Sequence, residues 1–288
     1  MTTMVVWSRE RVQPPLRFDN VGYAYRLGSG VRKRPTCAVI EMHTPFMQQV
    51  SPFGPSVASM RAHDWTQRIE QLDAQGYVKL SGLLDAAACT GLNAAYEQSA
   101  LFRSRVVMAR HGYGRGEYQY FARPLPALVQ RLRQELYAPL VPLANSWMQR
   151  LRRDTRFPET HEALEQACAA LGQTQPTPLL LKYGVDDENR LHQDMYGELH
   201  FPLQVVIMLS QPGQDFEGGE FVLTEQRPRM QSRVEVVPME RGDGVVFAGA
   251  QRPVAGSRGD YAVKMRHGVS RVRRGHRMTL GVIFHDAL

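Results

Sequence analysis

The hydrophobic pattern of the chain changes at Pro178, and this change limits what the last third can fold into. Upstream, apolar residues recur at helical spacing, as at Leu128, Leu132 and Leu136. Downstream, short runs of strand-forming residues are separated by turns rich in glycine and proline, a pattern typical of two antiparallel sheets packed as a jelly roll. We predict strands over 179–184, 190–193, 203–210, 219–224, 234–237, 244–248, 261–267 and 277–284.

The predicted fold class is therefore α+β with a mainly β core: a double-stranded β-helix, or jelly roll, with N-terminal helices packed on it. Residues 176–288 form the core, and residues 61–175 form a helical support region with a few strands. Residues 1–60 carry scattered Pro and Gly without periodicity, which predicts a poorly ordered or loosely attached segment. A basic arm that touches a phosphate backbone is the alternative for this segment.

Four helices are expected in the support region before the core begins, the last over about 159–171 and closed by Gly172. The first is capped by Asp64 and stopped by Gly76, and Asp85 caps the second. A third runs over about 125–151 and should be broken or kinked at Pro139 and Pro142.

Charge and cysteine content restrict the setting of the protein. The net charge of +7 permits an anionic partner such as nucleic acid, and equally suits a generally basic soluble protein. The three cysteines are odd in number and widely separated, which argues against a disulfide framework or a zinc site. No apolar run reaches the ~18–20 residues that span a bilayer, and the N-terminus lacks a signal-peptide pattern. We expect a cytoplasmic protein with no membrane partner.

Two histidines and one aspartate form a candidate metal site. His192 and Asp194 are two residues apart, and in an extended segment such residues project to the same face. His267 lies 73 residues after Asp194 in another strand-like run. Two imidazoles and one carboxylate on one side of a metal leave other positions open, as mononuclear non-haem iron chemistry requires.

Three further histidines compete for the role of second imidazole. His200 is too near His192 and would make a different ligand set, and His276 should point to the face opposite Arg277. His285 follows the last strand and is expected either to face a substrate or to lie on the surface.

Arg277 is a candidate anion-binding residue. It begins the apolar strand 277–284, ten residues after His267, and a guanidinium buried there needs a counter-charge. The carboxylate of a co-substrate could provide that charge through a bidentate contact. Its rivals Arg271, Arg273 and Arg274 lie in a basic turn and should face solvent or an anionic partner.

The order His-x-Asp, a long gap, His, about ten residues and Arg resembles the 2-oxoglutarate- and Fe(II)-dependent dioxygenase superfamily. Lesser features agree: Tyr183-Gly184 precedes the first histidine, and Glu217-Gly-Gly-Glu220 and Arg241-Gly-Asp-Gly244 lie between the ligands. The resemblance covers about residues 178–286. In general likeness the chain is similar to a prokaryotic branch that is predicted to act on damaged nucleic acids, with prolyl-hydroxylase-like core motifs.

The resemblance implies a catalytic triad and a cofactor set. His192, Asp194 and His267 would bind Fe(II), with 2-oxoglutarate and O2 as co-substrates and ascorbate as a candidate further cofactor. Arg277 would hold the far carboxylate of 2-oxoglutarate, assisted by Thr279 on the same face and by Tyr183, for which a half-buried strand tyrosine is the alternative. The implied activity couples oxidative decarboxylation of 2-oxoglutarate to C–H hydroxylation.

The substrate is the most open part of the sequence interpretation. The stretch 103–123 interleaves arginines with aromatic residues, which either bind phosphates and stack on bases or form a loop and edge strand packed on the sheet. The leading hypothesis is DNA-repair chemistry: oxidative demethylation of a damaged base in DNA or RNA, although the last strand lacks the Asn and second Arg of the Arg-x-Asn-x-Thr-x-Arg pattern of well-known repair dioxygenases. The alternatives are a prolyl-hydroxylase-like protein hydroxylase or small-molecule hydroxylase, and a non-enzymatic jelly-roll binding protein.

Overall fold

A computed structural model describes residues 64–288, so the segment 1–60 lies outside the described residues. The helices are α1 (Trp65–Gln75), α2 (Ala86–Ala95), α3 (Ala127–Arg150) and α4 (His161–Ala170). The strands are β1 (Tyr77–Leu80), β2 (Phe102–Val107), β3 (Glu117–Phe121), β4 (Leu179–Tyr183), β5 (Asn189–His192), β6 (Leu203–Met208), β7 (Phe216–Gly218), β8 (Phe221–Gln226), β9 (Arg233–Val237), β10 (Gly244–Ala248), β11 (Gln251–Val254), β12 (Tyr261–Val269), β13 (Val272–Gly275) and β14 (Arg277–Ile283). None of the helices in this described part is long and apolar enough to cross a membrane.

Two antiparallel sheets make the core, which confirms the predicted fold class. The larger sheet has the strand order β1-β10-β6-β14-β4-β3-β2. The smaller has the order β11-β12-β8-β9, with β5 also paired to β12, and β7 and β13 form a separate two-stranded ribbon. Strands β1, β2 and β3 come from the predicted support region, yet they extend the larger sheet: β1 pairs with β10, β3 pairs with β4, and β2 pairs with β3 at the edge.

The central strands of the larger sheet are buried on both faces. Every residue of β6, β10 and β14 is buried, because helices cover one face and the smaller sheet covers the other. In β14, Leu280 and Val282 belong to the cluster shared with the helices. The alternate residues Arg277 and Thr279 therefore face the space between the sheets. This alternation decides which side chains reach the candidate site.

Helix α3 runs without interruption through Pro139 and Pro142, so of the two expected effects, a break or a kink, the break is wrong. Its apolar side packs into the main core through Leu132, Leu136 and Leu140, all fully buried. Pro142 is exposed and Pro139 is partly exposed, so the carbonyls left without a helical donor lie toward solvent. Burial of the opposite face holds the helix together despite the two lost hydrogen bonds. The predicted caps Asp64, Gly76 and Asp85 are present at α1 and α2.

His161 joins α4 to the last strand and makes stability depend on pH. Its Nε2 lies 2.9 Å from the carbonyl of Phe284, and burial lowers the pKa of His161 to about 4. In the unfolded chain the imidazole binds a proton near pH 6.5, whereas in the folded protein it stays neutral until about pH 4. The free energy of unfolding therefore decreases as the pH falls from about 6.5 toward 4.

We predict that the free energy of unfolding of wild type falls between about pH 7 and pH 4.5 by roughly 2–3 kcal/mol more than that of the His161→Gln variant. Urea unfolding at the two pH values measures this difference. The matched control is His276→Gln, because it removes an exposed histidine instead of a buried one. Equal losses in wild type and His161→Gln would contradict the prediction.

Candidate active site

The register of two neighbouring strands brings the predicted metal ligands together. His267 on β12 lies directly opposite His192 on β5, and the ring centroids are 4.2 Å apart. Asp194 follows the end of β5, with its Oδ2 3.2 Å from Nε2 of His267 and its Oδ1 3.6 Å from Nε2 of His192. One ligand atom from each residue lies within 4.8 Å of the others, so one ion can contact all three.

Hydrogen bonds orient these side chains. The Nδ1 of His192 lies 2.7 Å from the carbonyl of Arg190, so Nδ1 donates its proton and Nε2 keeps a free lone pair. The hydroxyl of Tyr196 donates to one oxygen of Asp194 over 2.9 Å, and the amide of Gln204 donates to the other over 3.1 Å. Such outer partners fix ligand orientation and tune metal affinity.

The protonation states also suit metal binding. Burial alone would raise the pKa of Asp194, but the hydrogen bond from His267 and the charges of His267 and His192 hold it well below its usual range. Burial, reinforced by the charge of His267, lowers the pKa of His192. At neutral pH the site therefore presents an ionised carboxylate and a neutral imidazole, the forms in which these groups ligate metals.

The triad opens into a cavity of about 520 Å³ between the two sheets. Arg277, Thr279 and Tyr183 line the same cavity, so all six residues predicted for the site share one space. Apolar side chains that include Val206, Phe221 and Phe247 form much of the remaining wall. A cavity of this size with a few convergent polar groups is typical of a small-molecule site.

Arg277 is fully buried, and its guanidinium nitrogens Nε, Nη1 and Nη2 have no hydrogen-bond partner among residues 64–288. The Cζ atom of Arg277 lies 5.4 Å from the centroid of the Tyr183 ring. Burial lowers the pKa of Arg277 to about 10, so the side chain is still charged at neutral pH. A buried unpaired charge is costly, and a carboxylate placed in the cavity would satisfy it. The donor set thus fits Fe(II), and the guanidinium fits 2-oxoglutarate.

Tyr183 is fully buried rather than half-buried, and its hydroxyl accepts a hydrogen bond from Asn189 over 3.3 Å. Among the rival histidines, His276 is exposed and His200 is partly buried, and neither lines the cavity. His285 was expected to face substrate or solvent, and this is wrong. It is buried, and its Nδ1 accepts a hydrogen bond from the backbone of Phe201 over 3.1 Å.

The arginines of the basic turn 271–274 are exposed, as expected, but Val272–Gly275 forms strand β13 rather than a turn, and the charges are neutralised within the chain. Arg271 lies 3.6 Å from Asp186, Arg273 lies 3.3 Å from Glu220, and Arg274 lies 2.7 Å from Glu217. These partners come from other strands and loops, so the run of arginines gave no sign of them. The turn is therefore a weak candidate for an anion site.

The sequence interpretation missed three residues that support the site. Tyr196 continues the alternation His192-x-Asp194-x-Tyr196, which could have indicated it. Gln204 was a polar exception within the apolar strand 203–208. Gly219, within the Glu217-Gly-Gly-Glu220 motif, has φ +61°, and a Cβ there would lie 2.8 Å from Cδ of Arg277. This glycine lets the backbone approach the Arg277 side chain.

We predict that Gly219→Ala displaces Arg277 and weakens 2-oxoglutarate binding by about tenfold, the effect of roughly 1.4 kcal/mol. The left-handed backbone adds a stability cost of about 1–2 kcal/mol. Gly213→Ala is the matched control, because Gly213 has φ +80° but open space where a methyl group would be added. Thermal shifts with and without 2-oxoglutarate separate the two effects. If both variants keep the wild-type shift, Gly219 does not position Arg277.

Comparison with known proteins gives one family match and a close relative. The family model of Oxygenase-NA, described as an oxygenase catalysing oxidative methylation of damaged DNA, matches residues 116–287. The Mycobacterium tuberculosis protein Rv2227, named as uncharacterized, is 47% identical over 193 residues, which cover 65% of this chain and 83% of the relative. The family match covers every residue of the candidate site and every strand except β1 and β2.

Solved structures with similar folds are more distant. A 2OG-Fe(II) oxygenase family oxidoreductase from Burkholderia pseudomallei is 19% identical with a TM-score of 0.47, covering 78% of this chain and 93% of that one. A prolyl hydroxylase from Trichoplax adhaerens, in complex with a hypoxia inducible factor peptide, is 14% identical with a TM-score of 0.48, covering 79% and 90%.

Proposed function

Because the chain belongs to the Oxygenase-NA family and is an Fe(II)- and 2-oxoglutarate-dependent oxygenase, we propose that it removes alkyl groups oxidatively from damaged nucleic-acid bases. The observation that carries the cofactor assignment is the cavity that joins a His-Asp-His cluster to a buried guanidinium without a partner among the described residues. The family description supports the substrate. It favours neither the prolyl-hydroxylase-like nor the non-enzymatic alternative.

We assign the roles within the cavity as follows. His192, Asp194 and His267 hold Fe(II), and Arg277 pairs with the far carboxylate of 2-oxoglutarate. When bound, iron with 2-oxoglutarate and O2 supplies the oxidising power for C–H hydroxylation. Thr279, on the same face of β14 as Arg277, and Tyr183, opposite Arg277 on β4, offer hydroxyls to the same carboxylate.

The protein itself contributes orientation and exclusion of water. Tyr196 and Gln204 each hold one oxygen of Asp194, so the carboxylate cannot rotate freely about its bond. The apolar wall around Phe221 and Phe247 lowers the local dielectric and strengthens the contact between Arg277 and a bound carboxylate. These residues pre-organise the site before substrate enters.

The proposed substrate chemistry follows from where oxygen is inserted. Hydroxylation of an N-methyl C–H bond gives an N-hydroxymethyl group, which breaks its C–N bond to release formaldehyde and leaves N–H on the base. A base in a duplex would have to leave the stack to reach the cavity, whereas a base in a single strand is already accessible.

A product screen tests the proposal. We expect an N-methylated single-stranded oligonucleotide to stimulate succinate release, with formaldehyde and the demethylated base as matching products by mass. The unmethylated oligonucleotide and a proline-rich peptide are the comparison substrates. Stimulation by the peptide alone would overturn the nucleic-acid assignment, and absence of Fe(II)-dependent 2-oxoglutarate consumption with every substrate would overturn the assigned roles.

A further inference from the structure

The segment between β2 and β3, residues 108–116, forms one wall of the cavity mouth, and we call it the β2–β3 arm. Gly114 forms a bridge with Asn189, and the backbone of Arg190 donates to the carbonyl of Tyr113 over 2.9 Å. The backbone of Arg115 also donates to the carbonyl of Glu188 over 2.9 Å. The arm is therefore fixed beside the strand that ends at His192.

Tyr113 presents an aromatic ring at this mouth. It lines the cavity and is 51% exposed, and it stacks on His111 with ring centroids 5.3 Å apart and an interplanar angle of 22°. Leu191 and Met195, which line the same cavity, are 47% and 59% exposed. Exposed apolar side chains gathered at one opening indicate a surface that a ligand covers.

Free positive charge accompanies this ring. Arg110 and Arg115 are exposed, and neither side chain has an ion pair or hydrogen bond to any residue of 64–288. Arg190 is also exposed and lies 3.7 Å from Glu188. The basic turn 271–274 differs, because its arginines are paired within the chain. Cations without partners in this part of the chain, placed beside an exposed ring, match the phosphates and bases of a single strand.

Resting on the proposed function, we propose that the β2–β3 arm binds single-stranded nucleic acid, with Tyr113 stacked on a base at the cavity mouth and Arg110 and Arg115 on the neighbouring phosphates. A duplex is a poorer match, because its bases are stacked on each other and cannot cover the Tyr113 ring. The arm thus selects an unpaired segment and places it beside the iron cavity.

Fluorescence anisotropy with a labelled, unmethylated thymidine oligonucleotide tests the arm without any catalytic step. Stacking of one base predicts that Tyr113→Ala weakens binding by about 5- to 150-fold and that Tyr113→Trp restores it. The pair Arg110→Gln and Arg115→Gln should make the slope of log affinity against log salt less steep by roughly 1.4, at about 0.7 per phosphate contact.

Two exposed residues that do not line the cavity serve as matched controls: Val236→Ala for lost apolar surface and Arg258→Gln for lost charge. The inference is overturned if the arm variants bind like these controls, if the complementary duplex binds as tightly as the single strand, or if wild type binds no oligonucleotide. If one of these results is obtained while wild type still consumes 2-oxoglutarate, the binding inference fails but the oxygenase assignment is unaffected. Loss of that consumption in wild type itself is the separate failure of the proposed function.

Discussion

Replacing Asp194 by asparagine lowers Fe(II)-dependent 2-oxoglutarate turnover by more than about 100-fold, because losing a metal ligand exceeds the ~10–100-fold cost of losing an outer partner. The substitution keeps the shape of the side chain but removes its negative charge. In the protein, both oxygens of this carboxylate accept hydrogen bonds, from Tyr196 and Gln204. The amide can keep one of these contacts but has one acceptor oxygen fewer for an ion.

Turnover is measured as succinate formed per chain, with folding checked by thermal unfolding. Asp186→Asn is the matched control, since Asp186 is exposed and outside the cavity, and asparagine tolerates its φ of +65°. The control should retain wild-type turnover. Turnover by Asp194→Asn equal to that of the control would remove Asp194 from the site.

Replacing Arg277 by methionine weakens 2-oxoglutarate binding by roughly 30- to 4000-fold, the range that corresponds to ~2–5 kcal/mol for truncating a buried charge pair. The same variant should be as stable as wild type without 2-oxoglutarate, or more stable. The reason is that the wild-type guanidinium is fully buried without a hydrogen-bond partner in residues 64–288, so methionine relieves an uncompensated charge.

Thermal unfolding across a 2-oxoglutarate titration reads out both effects at once. Wild type should gain stability as the ligand saturates, while Arg277→Met should not respond over the same range. Arg277→Lys is an informative comparison, because it keeps the positive charge but loses the planar guanidinium that contacts a carboxylate through two nitrogens. We expect 2-oxoglutarate to stabilise this variant only weakly. An undiminished response in Arg277→Met would show that 2-oxoglutarate binds elsewhere.

Much of the fold could be predicted from the sequence because two-residue alternation is a local property. All eight predicted strands are present. The position of Arg277 at the start of an apolar strand indicated that its side chain would be buried. The meeting of His192 with His267 depends on pairing between β5 and β12, which no local pattern encodes. The prediction that His192 and His267 meet therefore depended on the resemblance to a known family and not on spacing alone.

The wrong expectations share a physical cause, which is that long-range contacts outweigh local preference. Packing on the sheet carries α3 through Pro139 and Pro142. Burial against Phe201 removes His285 from both surface and cavity. Asp194 lies just beyond the end of β5, as it does beyond the predicted strand 190–193, and its carboxylate reaches both imidazoles.

The most direct test is the iron stoichiometry of the protein. Wild type and the single variants His192→Ala, Asp194→Asn and His267→Ala are loaded with Fe(II) without oxygen, freed of unbound metal and analysed for iron per chain. We predict one equivalent in wild type and almost none in each variant. An equivalent of iron retained by all three variants, or none bound by wild type, would contradict the assignment of the triad.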